Sequence, residues 1–403
     1  MQPIYLVLTP FFPTENIFHG PFIFDQVKAI KRNSNYDVKV IKFISFFHKN
    51  NVEEYTYQGV KVYNFKVFDI PSFVLPGLFN FINLKRLERL VRDNMNIDLT
   101  EVEIIHSHSA YPAGALAVEL GQKFDIKSFV QHHGFDVMLL NNSRIFKGKL
   151  KKFHNQYLKN RFLRTVNNAD LNIGVSQKII DTLHTENKFI NKNTLVLFNG
   201  VNTRIFYQLP NIIKSNSFTI GCIANFWPLK DHITLLKAIN IVVKNTKNLT
   251  VKFIGTGPTL DQCKEYIKIN NLKEFVEFNN EVDHTELNNF YNSLDLFVLP
   301  SYYEGFGCVY AEALHIGIPI IAVRDQGIEE VLSLTDRRRL LIDKGDYKDL
   351  AQKIKSQIKE PLKIDYNFEL PSETKKVSYK PTLDERITVT KYYPIPNTFK
   401  KSY

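Results

Sequence analysis

Two glutamates, Glu304 and Glu312, stand with seven residues between them within Leu299–Leu314, LPSYYEGFGCVYAEAL. An apolar strand is expected to end at Pro300, a loop bearing Gly305 and Gly307 to follow, and a helix to begin near Gly307. A helix start preceded by glycines offers unpaired N–H groups and a positive dipole end, which suits phosphate. Carboxylates beside such a site do not favour phosphate. They make sense as acceptors for hydroxyl groups, such as those of a ribose and a hexose, although a loop acid and a surface helix acid would give the same letters. His106 and His108 lie two apart at a strand end and therefore share a face. They could be taken for metal ligands, but no third ligand at suitable spacing accompanies them, and cleft lining or packing is favoured. Cys222, Cys263 and Cys308 lie far apart without metal-ligand spacing, so no metal and no disulfide framework is expected. Free thiols suit a reducing compartment.

These residues need elements to hold them, and the chain supplies an alternation of short β-branched runs and longer amphipathic ones. Strands are expected at residues 4–9, 38–43, 60–68, 104–107, 128–131, 171–175 and 195–198, with helices at 22–31, 83–95 and 113–123. The second half repeats the theme. Strands at 219–224, 251–254, 276–278, 296–299 and 319–323 are interleaved with helices at 231–244, 259–270, 285–293 and 309–315. Near-continuous apolar strands separated by helices imply parallel sheets covered on both faces. The polar segment 207–217 fits a linker. The chain thus divides into Rossmann-like domains at 1–205 and 218–360, a linker at 206–217, and an atypical tail at 361–403 that carries five prolines and lacks a clear period. In such folds the ligand cleft lies at the carboxyl ends of the strands.

The chain's 403 residues allow two or three domains, and 44% apolar content excludes wholesale disorder. A net charge of +11 favours phosphate-bearing partners or an anionic surface. The N-terminus lacks a basic leader, and the apolar stretch 73–82 is broken by Pro76, Gly77 and Asn80. A cytoplasmic protein, at most peripheral at the inner membrane face, is expected. Residues 137–169 contain no acidic residue, whereas Arg144, Lys147, Lys149, Lys151, Lys152, Lys159, Arg161 and Arg164 are all present. With Phe146, Leu150, Phe153 and Tyr157 at helical spacing, 144–164 reads as a basic amphipathic helix. It either rests on anionic lipid or docks its apolar stripe on its own domain. Nucleic acid is not an expected partner, because no stacking-aromatic module accompanies the charge.

The Glu304–Glu312 pair, followed by Gly317-Ile318-Pro319-Ile320-Ile321-Ala322, resembles the signature of retaining family-4 glycosyltransferases of the GT-B fold. The resemblance extends along most of the chain. Thr9-Pro10-Phe11-Phe12-Pro13 with Gly20-Pro21-Phe22 resembles the family's first loop. Ile105-His106-Ser107-His108, Tyr111-Pro112-Ala113-Gly114 and His133-Gly134-Phe135-Asp136 resemble its acceptor-side motifs. Val175-Ser176 and Asn199-Gly200-Val201 resemble the segments that close its first domain.

The resemblance implies an α/β protein with two Rossmann-like domains facing across a cleft, and roles for particular residues. Glu304 would bind hydroxyls of the transferred sugar and Glu312 the ribose, within a donor loop of Gly305, Phe306, Gly307, Cys308 and Val309. Lys230 would neutralise the diphosphate as the glycosidic bond breaks, Gly20 would let backbone N–H groups approach the same phosphates, and Val282 would lie near the base. His133 would face the sugar near the reacting carbon, while His132 turns to the opposite face. His108 would line the acceptor side, and Asp136 would bind acceptor hydroxyls or cap the following segment.

The implied reaction moves a hexose from a UDP-sugar or GDP-sugar to a hydroxyl of a glycan or lipid-linked glycan, with retention and without a metal or cofactor. A catalytically weak binding partner in a polysaccharide assembly, or a GT-B epimerase, are the alternatives. Departures from the family pattern are also visible. Asn225 stands where the family usually places a second cation, Asn202 where aspartate is commoner, and Gln326-Gly327-Ile328-Glu329-Glu330 replaces a Gly-Gly-Ile-Pro-Glu loop. The tail does not resemble the family's C-terminal helix.

Overall fold

A computed structural model describes residues 2–15, 20–47, 53–68, 75–138, 147–210, 214–280, 282 and 286–364. Arg144, Phe146, Thr285 and the tail beyond residue 364, all named above, lie outside the described residues. The chain divides into two compact units, with the boundary between Phe198 and Asn199.

The first unit is built on the strands β1 (Ile4–Thr9), β2 (Asp37–Ser45), β3 (Glu54–Tyr57), β4 (Val60–Val67), β5 (Val102–Ser107), β6 (Lys127–His132), β7 (Leu171–Gly174) and β8 (Thr194–Val196). Among the described residues they form one sheet in the order β3-β4-β2-β1-β5-β6-β7-β8. Every pairing is parallel except β3 with β4, a short edge hairpin. Helices α1 (Pro21–Asn33), α2 (Asn80–Arg89), α3 (Ala115–Phe124), α4 (Phe135–Met138), α5 (Gly148–Asn168) and α6 (Gln177–His184) are interleaved with the strands.

The sequence reason for this arrangement is visible in β1, where all six residues are buried. Leu6 and Leu8 join one apolar cluster with Ile105, Leu116 and Leu120 of α3. Tyr5 and Val7 join a second cluster with Ile23, Val27 and Ile30 of α1. Alternate residues of one strand thus supply two cores, because successive side chains leave a strand on opposite faces. That requirement erases the polar alternation of a half-exposed strand.

The second unit holds β9 (Phe218–Ile223), β10 (Leu249–Ile254), β11 (Val276–Asn279), β12 (Leu296–Val298), β13 (Ile320–Val323) and β14 (Leu341–Ile342). Their order is β11-β10-β9-β12-β13-β14, parallel throughout. The helices are α7 (His232–Val242), α8 (Leu260–Ile269), α9 (Leu287–Asn292), α10 (Cys308–His315), α11 (Leu334–Leu340) and α12 (Tyr347–Lys359). The order reverses direction at β9, so the loops after β9 and β12 leave the same end of the sheet side by side. Such a switch point is where open parallel sheets bind ligands.

The polar segment read as a linker is bonded into this unit. Tyr207 N–H donates to Asn288 Oδ1 at 3.1 Å, and Leu209 N–H to Asn292 Oδ1 at 2.9 Å. Among the described residues no helix is long and apolar enough to cross a membrane.

Candidate active site

In the second unit the loop after β9 closes with a single 3₁₀ turn, Pro228–Lys230, in which Lys230 N–H donates to Trp227 O at 2.9 Å. Proline at the first position loses no hydrogen bond, since that N–H would be unpaired in any case. Leu229 O accepts from Tyr302 N–H at 2.8 Å and from Ser301 Oγ at 3.2 Å, which fastens the loop after β12 to the loop after β9. The consequence is a contact between residues 74 positions apart: Lys230 Nζ donates to Glu304 Oε1 at 2.6 Å. Both side chains are largely withdrawn from solvent, with exposures of 26% and 13%. An ion pair with its hydrogen bond so sheltered is screened far less than one at the surface.

Beside this pair α10 begins. Gly307 caps it in the left-handed region, with φ 84° and ψ 72°, and a Cβ there would sit 2.5 Å from a ring carbon of Tyr310. Glycine meets both demands. The Tyr310 hydroxyl in turn donates to Leu299 O at 2.6 Å, holding the first turn of α10 against the end of the preceding strand segment. No side chain caps the helix and no acidic residue lies in its first turn.

One turn further on, Glu312 is 7% exposed, and its Oε2 accepts from the Tyr291 hydroxyl at 2.8 Å. Burial, and then the neighbouring Glu312 carboxylate, push the Tyr291 hydroxyl well above its ordinary pKa. The hydroxyl therefore stays protonated and able to donate. Cys308 Sγ accepts from Asn199 Nδ2 at 3.3 Å, Gly305 and Phe306 are buried, Val309 and Val282 are partly exposed, and Asn225 is exposed.

In the first unit the histidines form a column. His106 and His108 stack with ring centroids 4.5 Å apart, and His108 stacks on His133 at 5.3 Å. His133 also packs against Phe22 at 4.8 Å. His108 Nδ1 shares a hydrogen bond with His133 Nε2 at 3.1 Å, and the Tyr5 hydroxyl meets His106 Nδ1 at 2.8 Å. Burial lowers all three pKa values: His106 falls to about 3, aided by His133, and His133 to about 4, against the opposing pull of Asp136. His108 lies well below the usual range, through burial and the charges of its two neighbours.

His132 turns to the other face, as strand alternation requires, and is fully buried. Its Nδ1 meets Asp136 Oδ2 at 2.8 Å and its Nε2 meets Asn172 Oδ1 at 3.3 Å. Asp136 Oδ2 also accepts from Ala110 N–H at 3.1 Å. Burial raises the Asp136 pKa, but His132 and that N–H outweigh it and leave the carboxyl below its usual range. Gly20 caps α1 at φ 81°, and a Cβ there would lie 2.9 Å from Phe11 Cβ, so close packing on Phe11 already demands glycine.

The structure therefore brings Lys230 to Glu304 and His108 to His133, while Glu312 acquires a partner that sequence reading passed over. Tyr291 lies in α9 among Leu287 and Leu294, where an aromatic at helical spacing reads as core. Its only sequence signal is being a tyrosine, not a phenylalanine, in a wholly buried place.

Parallel sheets interleaved with helices in two compact units define an α/β protein with two Rossmann-like domains. Residues 20–205 match Glycosyltransferase Family 4 and residues 207–378 match Glycosyl transferases group 1, so the chain belongs to the family-4 glycosyltransferases of GT-B fold. It is 28% identical over 321 residues to the uncharacterized glycosyltransferase MJ1178 of Methanocaldococcus jannaschii, covering 79% of this chain and 81% of that one. It is also 25% identical over 146 residues to the capsular polysaccharide biosynthesis glycosyltransferase CapM of Staphylococcus aureus, covering 36% and 38%. Among solved structures, Anabaena Alr3699/HepE in complex with UDP and glucose shares the fold at a TM-score of 0.65. There the identity is 16%, over 88% of this chain and 90% of that one.

Proposed function

We propose that the protein transfers a hexose, with retention, from a nucleotide-diphosphate sugar to a hydroxyl of a glycan or lipid-linked glycan in polysaccharide synthesis. The observation that carries this reading is the Lys230–Glu304 pair beside the open start of α10. The α10 N–H groups and Lys230 receive the diphosphate. Lys230 stabilises the charge that grows on the leaving phosphate as the glycosidic bond breaks, a gain larger in the transition state than in the ground state. Glu304 accepts hydrogen bonds from the hydroxyls of the transferred sugar, and Glu312 from those of the ribose.

No residue needs to form a covalent intermediate. The leaving phosphate oxygen takes the acceptor proton on the face it vacates, and that shared face gives retention. A fixed ammonium and a helix start do the work that a divalent cation would do elsewhere, so the reaction is proposed to need no metal. His133 faces the sugar near the reacting carbon, and His108 and Asp136 serve the acceptor side. The complex of HepE with UDP and glucose supports a UDP-sugar as donor, with GDP-sugars the alternative, and the likeness to CapM supports a polysaccharide product. A cytoplasmic location, peripheral at the inner membrane face, fits a lipid-linked acceptor.

Lys230→Ala is the direct test. Turnover should fall by at least about 150-fold, roughly 3 kcal/mol of transition-state stabilisation. Unchanged turnover with a saturating donor would remove the role assigned to Lys230. The second reading, a catalytically weak partner in an assembly, draws on the uncharged and exposed Asn225. Nucleotide binding without any transfer or sugar-nucleotide hydrolysis would favour it.

A further inference from the structure

Glu312 is a buried carboxylate on a helix whose start is proposed to meet phosphate. A hydroxyl from a different element meets it. Tyr291 comes from α9, is fully buried, and reaches Glu312 Oε2 at 2.8 Å. The same hydroxyl lies 3.2 Å from Val309 O, but a single proton goes to the nearer, charged acceptor. Its ring is fixed by Phe206 and Phe297, each with centroids 5.7 Å away, and by Phe290. The donor is thus preorganised by packing and does not depend on a mobile side chain.

Accepting the reading of Glu312 as the ribose-binding carboxylate, we propose that Tyr291 is a positioning residue that holds the Glu312 carboxyl group oriented toward the ribose hydroxyls. A ribose hydroxyl donates best to a carboxylate oxygen held in a fixed direction. Tyr291 therefore acts on nucleotide affinity without touching the nucleotide. The arrangement also has a consequence for specificity. α9 follows the segment that carries Val282, so the element after the expected base contact is tied through one hydrogen bond to the residue that reads the sugar next to that base.

Tyr291→Phe removes one oxygen and leaves the ring packing in place. The probe is UDP-glucose, with GDP-mannose run in parallel, because the diphosphate of a nucleotide sugar does not titrate near neutral pH. Calorimetric titration of the whole chain at pH 8 should show about tenfold weaker binding in the variant. An analogue lacking both ribose hydroxyls should bind wild type and variant equally, since the interaction that Tyr291 supports is absent from it.

Equal weakening toward the nucleotide sugar and toward the analogue lacking both ribose hydroxyls would mean that Tyr291 only packs, and the inference would fall. Glu312→Gln separates this from failure of the underlying reading. If that variant binds UDP-glucose and GDP-mannose as the wild type does, Glu312 does not hold the ribose and both ideas are wrong. If it weakens binding while Tyr291→Phe does not, the carboxylate stands and the positioning role alone is overturned.

Discussion

At the scale of single residues, the loop after β9 carries one cation, Lys230. Lys230 is paired with Glu304, and Asn225, five positions earlier on the same loop, is exposed and neutral. If this loop faces a diphosphate, a second cation there should help. Asn225→Arg is expected to lower the donor KM about five- to tenfold, an effect that shrinks as salt rises because the position is open to solvent. An unchanged KM would place the loop away from the phosphates. Glu304 and Glu312 can be found from sequence because each is a charged residue at a fixed offset from glycines and a helix start, whereas Lys230 is reached through the family resemblance. Tyr291 could not, because its partner is 21 residues away and the value of its hydroxyl depends on which face of α9 packs on α10. The histidine column was half visible. The i, i+2 spacing of His106 and His108 predicts a shared face, whereas the arrival of His133 depends on the β5–β6 register and on the bend at Gly134, where φ is 111°.

At the scale of elements, patterning exposed most strands and left several helices unnamed. β1 is apolar throughout because helices cover both its faces, and such runs stand out in a sequence. α12 was passed over although Leu350, Ala351 and Ile354 mark its buried stripe and Asp346 caps it through its side chain, a short and highly charged pattern that competes poorly with its surroundings. α5 shows why a pattern can support two readings at once. Its C-terminal half buries Phe162, Leu163 and Val166, and Tyr157 donates to Pro76 O at 2.9 Å, so that half docks on its own unit. Its first turns instead leave Leu150 and Phe153 65% and 75% exposed among Lys149, Lys151 and Lys152. One helix thus performs both of the roles that seemed to compete, if the exposed end meets lipid. We expect the chain to cosediment with vesicles containing phosphatidylglycerol, and not with neutral phosphatidylcholine. Leu150→Glu with Phe153→Glu should abolish this with little change in stability, because both side chains are already in solvent. Equal binding of the double variant would exclude this end of α5 as the contact.

At the scale of the whole molecule, both units carry buried histidines, and this sets how stability responds to acid. His106 and His133 in the first unit have pKa values lowered to about 3 and about 4. His232 in the second unit is lowered to about 4, by burial first and by Lys230 second, against a raising contribution from the Ala224 backbone. In the unfolded chain each returns to about 6.5. Between pH 6.5 and about 4 the unfolded state therefore binds more protons than the folded one, so stability must fall as pH drops through that window. The slope is at most about 1.4 kcal/mol per pH unit for each histidine, and at pH 5 each has cost about 2 kcal/mol. His232 is the cleanest place to test this. Its ring lies flat on Phe226, with centroids 4.0 Å apart and an interplanar angle of 13°, and it is 2% exposed. His232→Phe keeps an aromatic ring in that stack and removes the titrating group. Urea unfolding followed by circular dichroism should give similar midpoints for variant and wild type at pH 7.5. At pH 5 the variant should retain about 2 kcal/mol more stability than the wild type. Parallel losses in the two proteins would show that His232 is not a source of the acid sensitivity, and would leave it to the column of His106, His108 and His133.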